Sequence, residues 1–275
     1  MITIHPDQIK FFNDNGYLVI GNILNPEQIA WYRDLYEQFL TNQIDASRYR
    51  SDLGAHAPAS NPVSPAAATT PANTIAANQT PPAARKENIT QIMLLSKLYP
   101  VILDQPLHQA TANIARQLLG EDMDLDFDML IDKAPYSNTN TPWHQDCSYW
   151  ITMPDTRAAS CWVALDDAII DNGCMWYVSG SHLLPVRTHR PAGKGGGALE
   201  CDCSEEEATP IEITAGSCIW HHGGTLHYSR GNTTGLRRRA LITNYRPKNM
   251  IAYERERGFD HTGERELRDT RAKDR

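Results

Sequence analysis

Apolar residues recur at helical spacing in three segments of this chain, and each segment carries a start or stop signal. Prolines stand where the first turn of a helix tolerates them, and glycines follow the last apolar position, where a left-handed residue ends a helix. The pattern predicts helices from Pro6 to the stop at Gly16, from the Asn25 cap to about Leu40, and from about Pro106 to the stop at Gly120.

After the last of these helices the period changes to two. Leu125, Phe127, Met129 and Ile131 alternate with aspartates, which predicts a half-buried strand with an acidic face toward solvent. Further short strands, separated by glycine-rich turns, are predicted at 17–20, 159–165, 174–178, 211–213, 217–221 and 239–245. Many short strands favour a mainly β sandwich or barrel, with the N-terminal helices buttressing one sheet.

Chain length and composition predict one domain over residues 1–275 with one interruption. From about 54 to 84 the chain is rich in Ala, Pro, Thr, Ser and Asn and has almost no large apolar side chain. Such a stretch buries too little surface to offset the entropy of ordering, so a mobile insertion is predicted. It is interpreted as an inert loop, with a lid over an active site as the alternative.

Charge and cysteine content exclude several classes of partner. The net charge of −7 disfavours non-specific nucleic-acid binding, and no apolar run approaches the length of a membrane span. The N-terminus shows no secretory signal, and the six cysteines form no C-x-x-C pair. A cytoplasmic protein with reduced thiols and a small-molecule substrate is predicted. The sequence does not indicate an oligomeric state.

The strongest chemical signal is His144-Gln145-Asp146, followed by His227 eighty-three positions later. Residues i and i+2 of a strand point to one face, so His144 and Asp146 can hold one ion together while Gln145 faces away. A distant histidine would complete the two-histidine, one-carboxylate site of non-haem Fe(II) oxygenases, which leaves coordination positions open. By spacing alone, His221 and His222 compete with His227 for the third position.

Four ordered motifs around these residues resemble the phytanoyl-CoA dioxygenase-like branch of the Fe(II)/2-oxoglutarate oxygenases, to which ectoine hydroxylase also belongs. The resemblance extends from about Ile9 to Pro247, the insertion excepted, and is strongest at 141–146, 161–167, 172–182 and 226–232. It implies a double-stranded β-helix, a cupin-like jelly roll with iron inside its open end. It also implies that His144, Asp146 and His227 are the iron ligands.

The resemblance further assigns the residues that hold 2-oxoglutarate. Arg238, eleven residues after His227, falls where the family binds the distal carboxylate, and Ser229 matches a hydroxyl that shares it. Alternation places Arg238 on the opposite face from Arg237 and Arg239, so Arg239 is the alternative if the register is shifted.

Three more positions match the lining of the cosubstrate pocket, namely Gln91, Met129 and Trp162. The aromatic residues Tyr149 and Trp150 follow Asp146 closely and are interpreted as core or rim, with a place in the pocket wall as the alternative.

The function implied by the resemblance is that of a dioxygenase dependent on Fe(II) and 2-oxoglutarate. It would use O2 to hydroxylate an unactivated C–H bond of a small metabolite or natural-product intermediate, with succinate and CO2 as coproducts and ascorbate as the assay reductant. A coenzyme A thioester is disfavoured because no basic patch is dedicated to a nucleotide. The alternatives are desaturation, cyclisation or rearrangement with the same cofactors, a cupin-like metal hydrolase or isomerase, and a non-enzymatic binding protein.

Overall fold

The computed structural model describes residues 2–54, 87–192 and 198–261, so the insertion predicted at about 54–84 lies outside the described residues except for Gly54. The α-helices of this part are α1 (Pro6–Asn15), α2 (Pro26–Leu40), α3 (Leu95–Leu98), α4 (Pro106–Leu119) and α5 (Lys248–Glu256). The first strands are β1 (Tyr17–Ile20), β2 (Arg50–Asp52), β3 (Ile89–Met93), β4 (Met123–Lys133), β5 (Thr141–His144), β6 (Ala159–Ala164) and β7 (Met175–Tyr177). The remaining strands are β8 (Arg190–Pro191), β9 (Leu199–Glu200), β10 (Thr209–Ile211), β11 (Cys218–His222), β12 (His227–Ser229) and β13 (Arg238–Pro247).

Two antiparallel sheets form the framework. Among the described residues, seven strands form the larger sheet in the order β1-β11-β6-β13-β4-β3-β2, and four form the smaller in the order β10-β7-β12-β5. Apolar side chains from both sheets pack into one buried cluster, with Trp162 and Ile242 from the larger sheet and Met175 and Tyr177 from the smaller. This sandwich confirms the predicted double-stranded β-helix.

The helices cover the outer face of the larger sheet. Phe12 of α1, Tyr36 of α2 and Ile114 of α4 share a second buried cluster with strand residues such as Val163 and Leu241. Polar contacts hold the layers together as well: the Tyr36 hydroxyl donates to the Ala240 carbonyl oxygen at 3.1 Å. The prediction that the N-terminal helices buttress one sheet is confirmed.

The prediction that the acidic face of β4 is exposed to solvent is wrong. The period of two is real, but Asp126, Asp128 and Asp132 are buried rather than solvated. The helices pack on this face, and each carboxylate has a cationic or imidazole partner; Asp128, for example, lies 3.1 Å from His108 of α4. Alternation cannot distinguish a solvated acidic face from one that is buried and paired, because both read as polar.

The predicted strands 174–178 and 211–213 also differ in their limits. The first is β7, which is shorter at both ends, and the second is shifted to β10, so that Ile213 makes only an isolated bridge to Ala168.

The turn after α1 depends on glycine. Gly16 has φ 78°, and a Cβ atom there would collide with the side chains of His182 and Thr225. A left-handed residue costs about 1–2 kcal/mol for an L side chain, and overpacking adds about 1–3 kcal/mol.

We therefore expect Gly16→Ala to lower the free energy of unfolding by about 2–5 kcal/mol, measured by urea denaturation. Gly258→Ala is the matched control, because Gly258 has φ 77° with nothing within 4 Å of the added Cβ. It should lose only the conformational part, about 1–2 kcal/mol. Equal losses in the two variants would show that the collision at Gly16 relaxes without cost.

Two further features bear on the sequence predictions. None of the helices in the described part of the chain is long and apolar enough to cross a membrane. The six cysteines, predicted to be reduced thiols, form no disulfide among the described residues, and Cys161, Cys174, Cys201 and Cys218 are also buried.

Candidate metal centre and cosubstrate pocket

Sheet register brings His144 and His227 together. β5 and β12 are neighbours in the smaller sheet, and His227 lies directly opposite His144. The Asp146 Oδ1 atom lies 3.6 Å from His144 Nε2 and 3.5 Å from His227 Nε2. All three potential ligand atoms lie within 4.8 Å of one another, so one ion can contact them all. The structure thus groups the three residues that the sequence singled out.

One local detail differs from the prediction. The strand ends at His144, and Asp146 is the first residue of a short 3-10 helix, Asp146–Tyr149. Gln145 between them keeps extended backbone angles, so the carboxylate still returns to the face of His144. The Gln145 side chain does face away, and its amide nitrogen donates to the Gly224 carbonyl oxygen at 2.8 Å.

Both histidines are oriented for coordination through Nε2. His144 Nδ1 lies 2.7 Å from the Pro142 carbonyl oxygen, and His227 Nδ1 lies 2.8 Å from the Thr225 carbonyl oxygen. A carbonyl only accepts, so each Nδ1 carries the proton and each Nε2 presents a lone pair. This arrangement is how protein backbones set the tautomer of metal-bound histidines.

Electrostatics keep His227 and Asp146 in their ligating forms. Burial lowers the pKa of His227 well below its usual value, and the neighbouring His144 and His221 lower it further, so the ring stays neutral. Burial would raise the pKa of Asp146, but His227, His144 and His221 outweigh it and hold this pKa well below its usual range. A neutral imidazole and an ionised carboxylate are the forms that bind a divalent metal.

A hydrogen-bond chain fixes the other oxygen of Asp146. The Ser160 hydroxyl donates to Asp146 Oδ2 at 2.9 Å, and Asn244 donates in turn to Ser160 Oγ at 2.9 Å. His221 Nε2 lies 3.1 Å from the same Oδ2, and its Nδ1 lies 3.2 Å from the Tyr177 hydroxyl. His221, a rival ligand by spacing, therefore acts on the carboxylate rather than completing the convergent trio.

We expect Ser160→Ala to weaken Fe(II) binding by about 10- to 100-fold, because losing a partner that orients a ligand typically has this effect. Anaerobic titration calorimetry with Fe(II) measures it. Ser217→Ala is the matched control, a buried serine whose hydroxyl contacts Thr214 instead. An Fe(II) affinity unchanged in Ser160→Ala would remove Ser160 from the site.

Arg238 is a buried cation whose donors are not all satisfied. Its side chain is 1% exposed, and its Nε and Nη1 atoms have no hydrogen-bond partner among the described residues. The guanidinium lies 5.1 Å from the centre of the Trp162 ring. Burial lowers the pKa of Arg238 to about 10. A buried, unpaired cation destabilises the folded protein unless an anion pairs with it. A carboxylate can pair with a guanidinium through two parallel hydrogen bonds.

The neighbouring arginines are already paired. Arg237 Nη2 lies 2.5 Å from Asp132, and Arg239 Nη2 lies 2.8 Å from Asp166 and Nη1 3.0 Å from Glu37. The alternation predicted for this run is therefore present, with Arg238 inside and its neighbours outside. The geometry favours Arg238 over Arg239 as the carboxylate partner.

The other predicted cosubstrate residues lie on the same inner surface. Ile242 of β13 pairs with Met129 on one side and Trp162 on the other, so these two share a row across the sheet. The Gln91 amide nitrogen lies 3.3 Å from Met129 Sδ. Ser229 is buried on β12, two residues after His227.

A cavity of about 150 Å³ opens beside the metal residues. His144 and Asp146 line it together with Gln91 and Met129, so the metal residues and part of the predicted cosubstrate lining share one space. Tyr149 and Trp150, for which a place in the pocket wall was the alternative interpretation, line it as well.

Sequence reasoning missed two basic residues of this region. Lys133 is fully buried, opposite Arg238 in the sheet register, and its Nζ donates to the carbonyl oxygens of Thr139, Ser229 and Arg230. Lys133 ends the strand that alternates so clearly, and no local signal distinguishes it from a surface lysine. His261 lines the cavity from beyond the last predicted motif.

Comparison with known proteins adds independent evidence. The family model "Phytanoyl-CoA dioxygenase (PhyH)" matches residues 12–240. The phytanoyl-CoA dioxygenase domain-containing protein 1 of Bos taurus is 32% identical over 119 residues, 41% of this chain and 41% of that protein. The chain thus spans about two fifths of the length of the first curated relatives that it matches.

Solved structures show the same fold. EvdO2 from Micromonospora carbonacea var. aurantiaca, complexed with 2-oxoglutarate, aligns with a TM-score of 0.64 and 25% identity over 88% of this chain and 91% of its own. The epimerase SnoN in complex with Fe3+, alpha ketoglutarate and nogalamycin RO aligns with a TM-score of 0.63 and 20% identity over 87% of this chain and 82% of its own.

These matches confirm the predicted family and the jelly roll. The three converging metal-binding groups and the unsatisfied buried guanidinium fit iron and 2-oxoglutarate. The chain belongs to the phytanoyl-CoA dioxygenase (PhyH) family.

Proposed function

We propose that this protein hydroxylates an unactivated C–H bond of a small metabolite or natural-product intermediate. Fe(II), 2-oxoglutarate and O2 take part, and succinate and CO2 are the coproducts. The observation that carries the proposal is the convergence of His144, Asp146 and His227 at the edge of a cavity that is mostly apolar.

The metal ligands in this proposal are His144, Asp146 and His227. His144 and Asp146 line the cavity, so cosubstrate and oxygen would reach the bound metal from that side. When bound, iron and 2-oxoglutarate supply the oxidising chemistry, while the protein supplies orientation and a dry site.

Arg238 holds the distal carboxylate of 2-oxoglutarate in this proposal, and Ser229 shares it. Both are buried, and the Nε and Nη1 atoms of Arg238 have no hydrogen-bond partner among the described residues. Trp162 packs against the guanidinium, and Met129 and Gln91 form the wall beside the cosubstrate. A buried cation and an apolar wall together favour a small dianion with a short carbon chain.

The substrate occupies the rest of the cavity. Leu53, Met93, Phe127 and Ile131 are among its lining residues, and such surfaces favour an apolar skeleton. The proposal includes a cytoplasmic location and one domain over residues 1–275, both read from the sequence.

A substrate screen tests the proposal. Candidate compounds are incubated with Fe(II), ascorbate and 2-oxoglutarate, and succinate release is followed. A true substrate should stimulate succinate formation in the native protein, and its product should gain one oxygen atom by mass spectrometry. Loss of two hydrogen atoms would instead indicate desaturation, and an unchanged mass would indicate rearrangement or epimerisation.

An anaerobic assay separates the proposal from a metal hydrolase or isomerase. Hydroxylation should stop when oxygen is removed, whereas hydrolysis would continue undiminished. A protein that binds neither Fe(II) nor 2-oxoglutarate under nitrogen would instead be a binding protein on a jelly-roll scaffold.

A further inference from the structure

One side chain in the cavity wall has no role in the chemistry proposed above. Among the described residues that line the cavity, the ionisable ones are His144, Asp146, Tyr149 and His261. The first two belong to the metal centre, and the Tyr149 hydroxyl accepts a hydrogen bond from the Leu199 backbone at 2.8 Å. Of these four ionisable residues, His261 is the one to which the proposed chemistry assigns no role.

His261 is held through its Nε2 atom and through packing of its ring. Its Nε2 lies 2.9 Å from Asp126 and 3.2 Å from Glu254, and its ring packs on Phe127 with 4.4 Å between ring centres. Nδ1 has no hydrogen-bond partner among the described residues, although the side chain is only 11% exposed. Its backbone has φ 57°, a left-handed conformation that residues other than glycine rarely adopt.

The surrounding cluster carries a net positive charge when His261 is protonated. Arg246 pairs with Asp126 at 3.0 Å and with Glu254 at 3.2 Å, and Arg255 contacts the same two carboxylates. Three cations against two anions leave a formal charge of +1. Burial opposes the charge on His261, but Asp126 and Glu254 outweigh it and raise its pKa above the ordinary value.

The same contacts argue against a second metal site. Asp126, Glu254 and His261 lie close enough to hold an ion. Both carboxylates, however, are already neutralised by two guanidinium groups, which would repel a cation. The guanidinium carbon of Arg246 also lies 3.7 Å from the ring centre of Trp150, another residue of the cavity wall. A positive charge therefore lies directly behind this apolar part of the wall.

We infer that His261 recognises an anionic group of the carboxylate type on an otherwise apolar substrate, with Nδ1 as the donor. The inference rests on the proposed function and deepens it, because it names a chemical class for the substrate. His261 lines the cavity, its Nε2 is in ion pairs, and its Nδ1 remains as a donor that can form a charge-assisted hydrogen bond to a ligand there. Anchoring the anion at His261 also selects which carbon of the apolar skeleton reaches the metal.

Binding of a simple probe tests this without a known substrate. Octanoate and octanamide share one apolar chain and differ in charge. Their dissociation constants are measured by calorimetry under nitrogen on the full protein saturated with Fe(II) and 2-oxoglutarate, so that 2-oxoglutarate, and not the probe, occupies the cosubstrate site. The native protein should bind octanoate at least about tenfold more tightly than octanamide, equivalent to about 1.4 kcal/mol.

His261→Phe should reduce that preference to less than about twofold while 2-oxoglutarate still binds. His261→Gln, which keeps a polar side chain without the charge, should do the same and covers the case in which the first variant does not fold. Tyr149→Phe is the control in the same wall, and there the preference for octanoate should persist.

Three results would overturn the inference: octanoate bound no better than octanamide by the native protein, a preference that survives in the His261 variants, or a second Fe(II) equivalent that disappears with His261. Failure of the native protein to bind 2-oxoglutarate is a separate result, which counts against the proposed function itself.

Discussion

Replacing Asp146 with alanine should abolish substrate-dependent succinate formation and weaken Fe(II) binding by more than about 100-fold. Mutation of a residue that only orients a metal ligand typically weakens metal affinity by about 10- to 100-fold. Loss of a ligand itself should therefore weaken it further. Asp146 is also the sole carboxylate in the trio of converging groups, so its removal leaves two neutral imidazoles to hold a dication. Anaerobic calorimetry gives the affinity, and succinate release gives the turnover.

Asp124→Ala provides the control for the loss of an aspartate. Asp124 is exposed on β4 and hydrogen bonds to the backbone next to it. It should bind Fe(II) with native affinity. If Asp146→Ala did the same, or formed succinate at the native rate, the proposed ligand set would be wrong.

Replacing Arg238 with methionine should weaken 2-oxoglutarate binding by about 30- to 4,000-fold. Removing one partner of a buried, hydrogen-bonded charge pair costs about 2–5 kcal/mol, which corresponds to that range. The dissociation constant measured under nitrogen with Fe(II) present reports the change directly.

Arg239→Met is the matched control and should change protein stability rather than 2-oxoglutarate affinity. Its guanidinium pairs with Asp166 and Glu37, so its removal should lower the stability of the protein but change 2-oxoglutarate affinity less than about threefold. Arg238→Met, measured without 2-oxoglutarate, should be at least as stable as the native protein, because it removes a buried charge with unsatisfied donors. A loss of stability in Arg238→Met without a loss of affinity would make Arg238 a structural residue.

Two parts of the site could be read from residue order because each of them is local. The extended backbone at Gln145 returns Asp146 to the face of His144, although the strand itself has already ended. Likewise, alternation in the run of three arginines directs Arg238 inward and its neighbours outward, whatever the rest of the fold does.

Other parts depended on contacts between segments far apart in the chain. Asp126, Asp128 and Asp132 of β4 are buried because helices and several arginines cover them, and a period of two carries no information about what lies above a strand. His221 could not be separated from a metal ligand until its distance from the outer oxygen of Asp146 was known.

The order of residues alone was sufficient to predict the family, the jelly roll with its helical buttress, the grouping of His144, Asp146 and His227, and the inward face of Arg238, because short-range geometry and ordered motifs encode them. Folding in three dimensions decided which histidine faces which oxygen, that the acidic strand face is buried, and that His261 enters the cavity wall. The reason is physical: burial, pairing and cavity lining are properties of surfaces that meet only after residues more than a hundred positions apart, such as Asp126 and His261, have packed together.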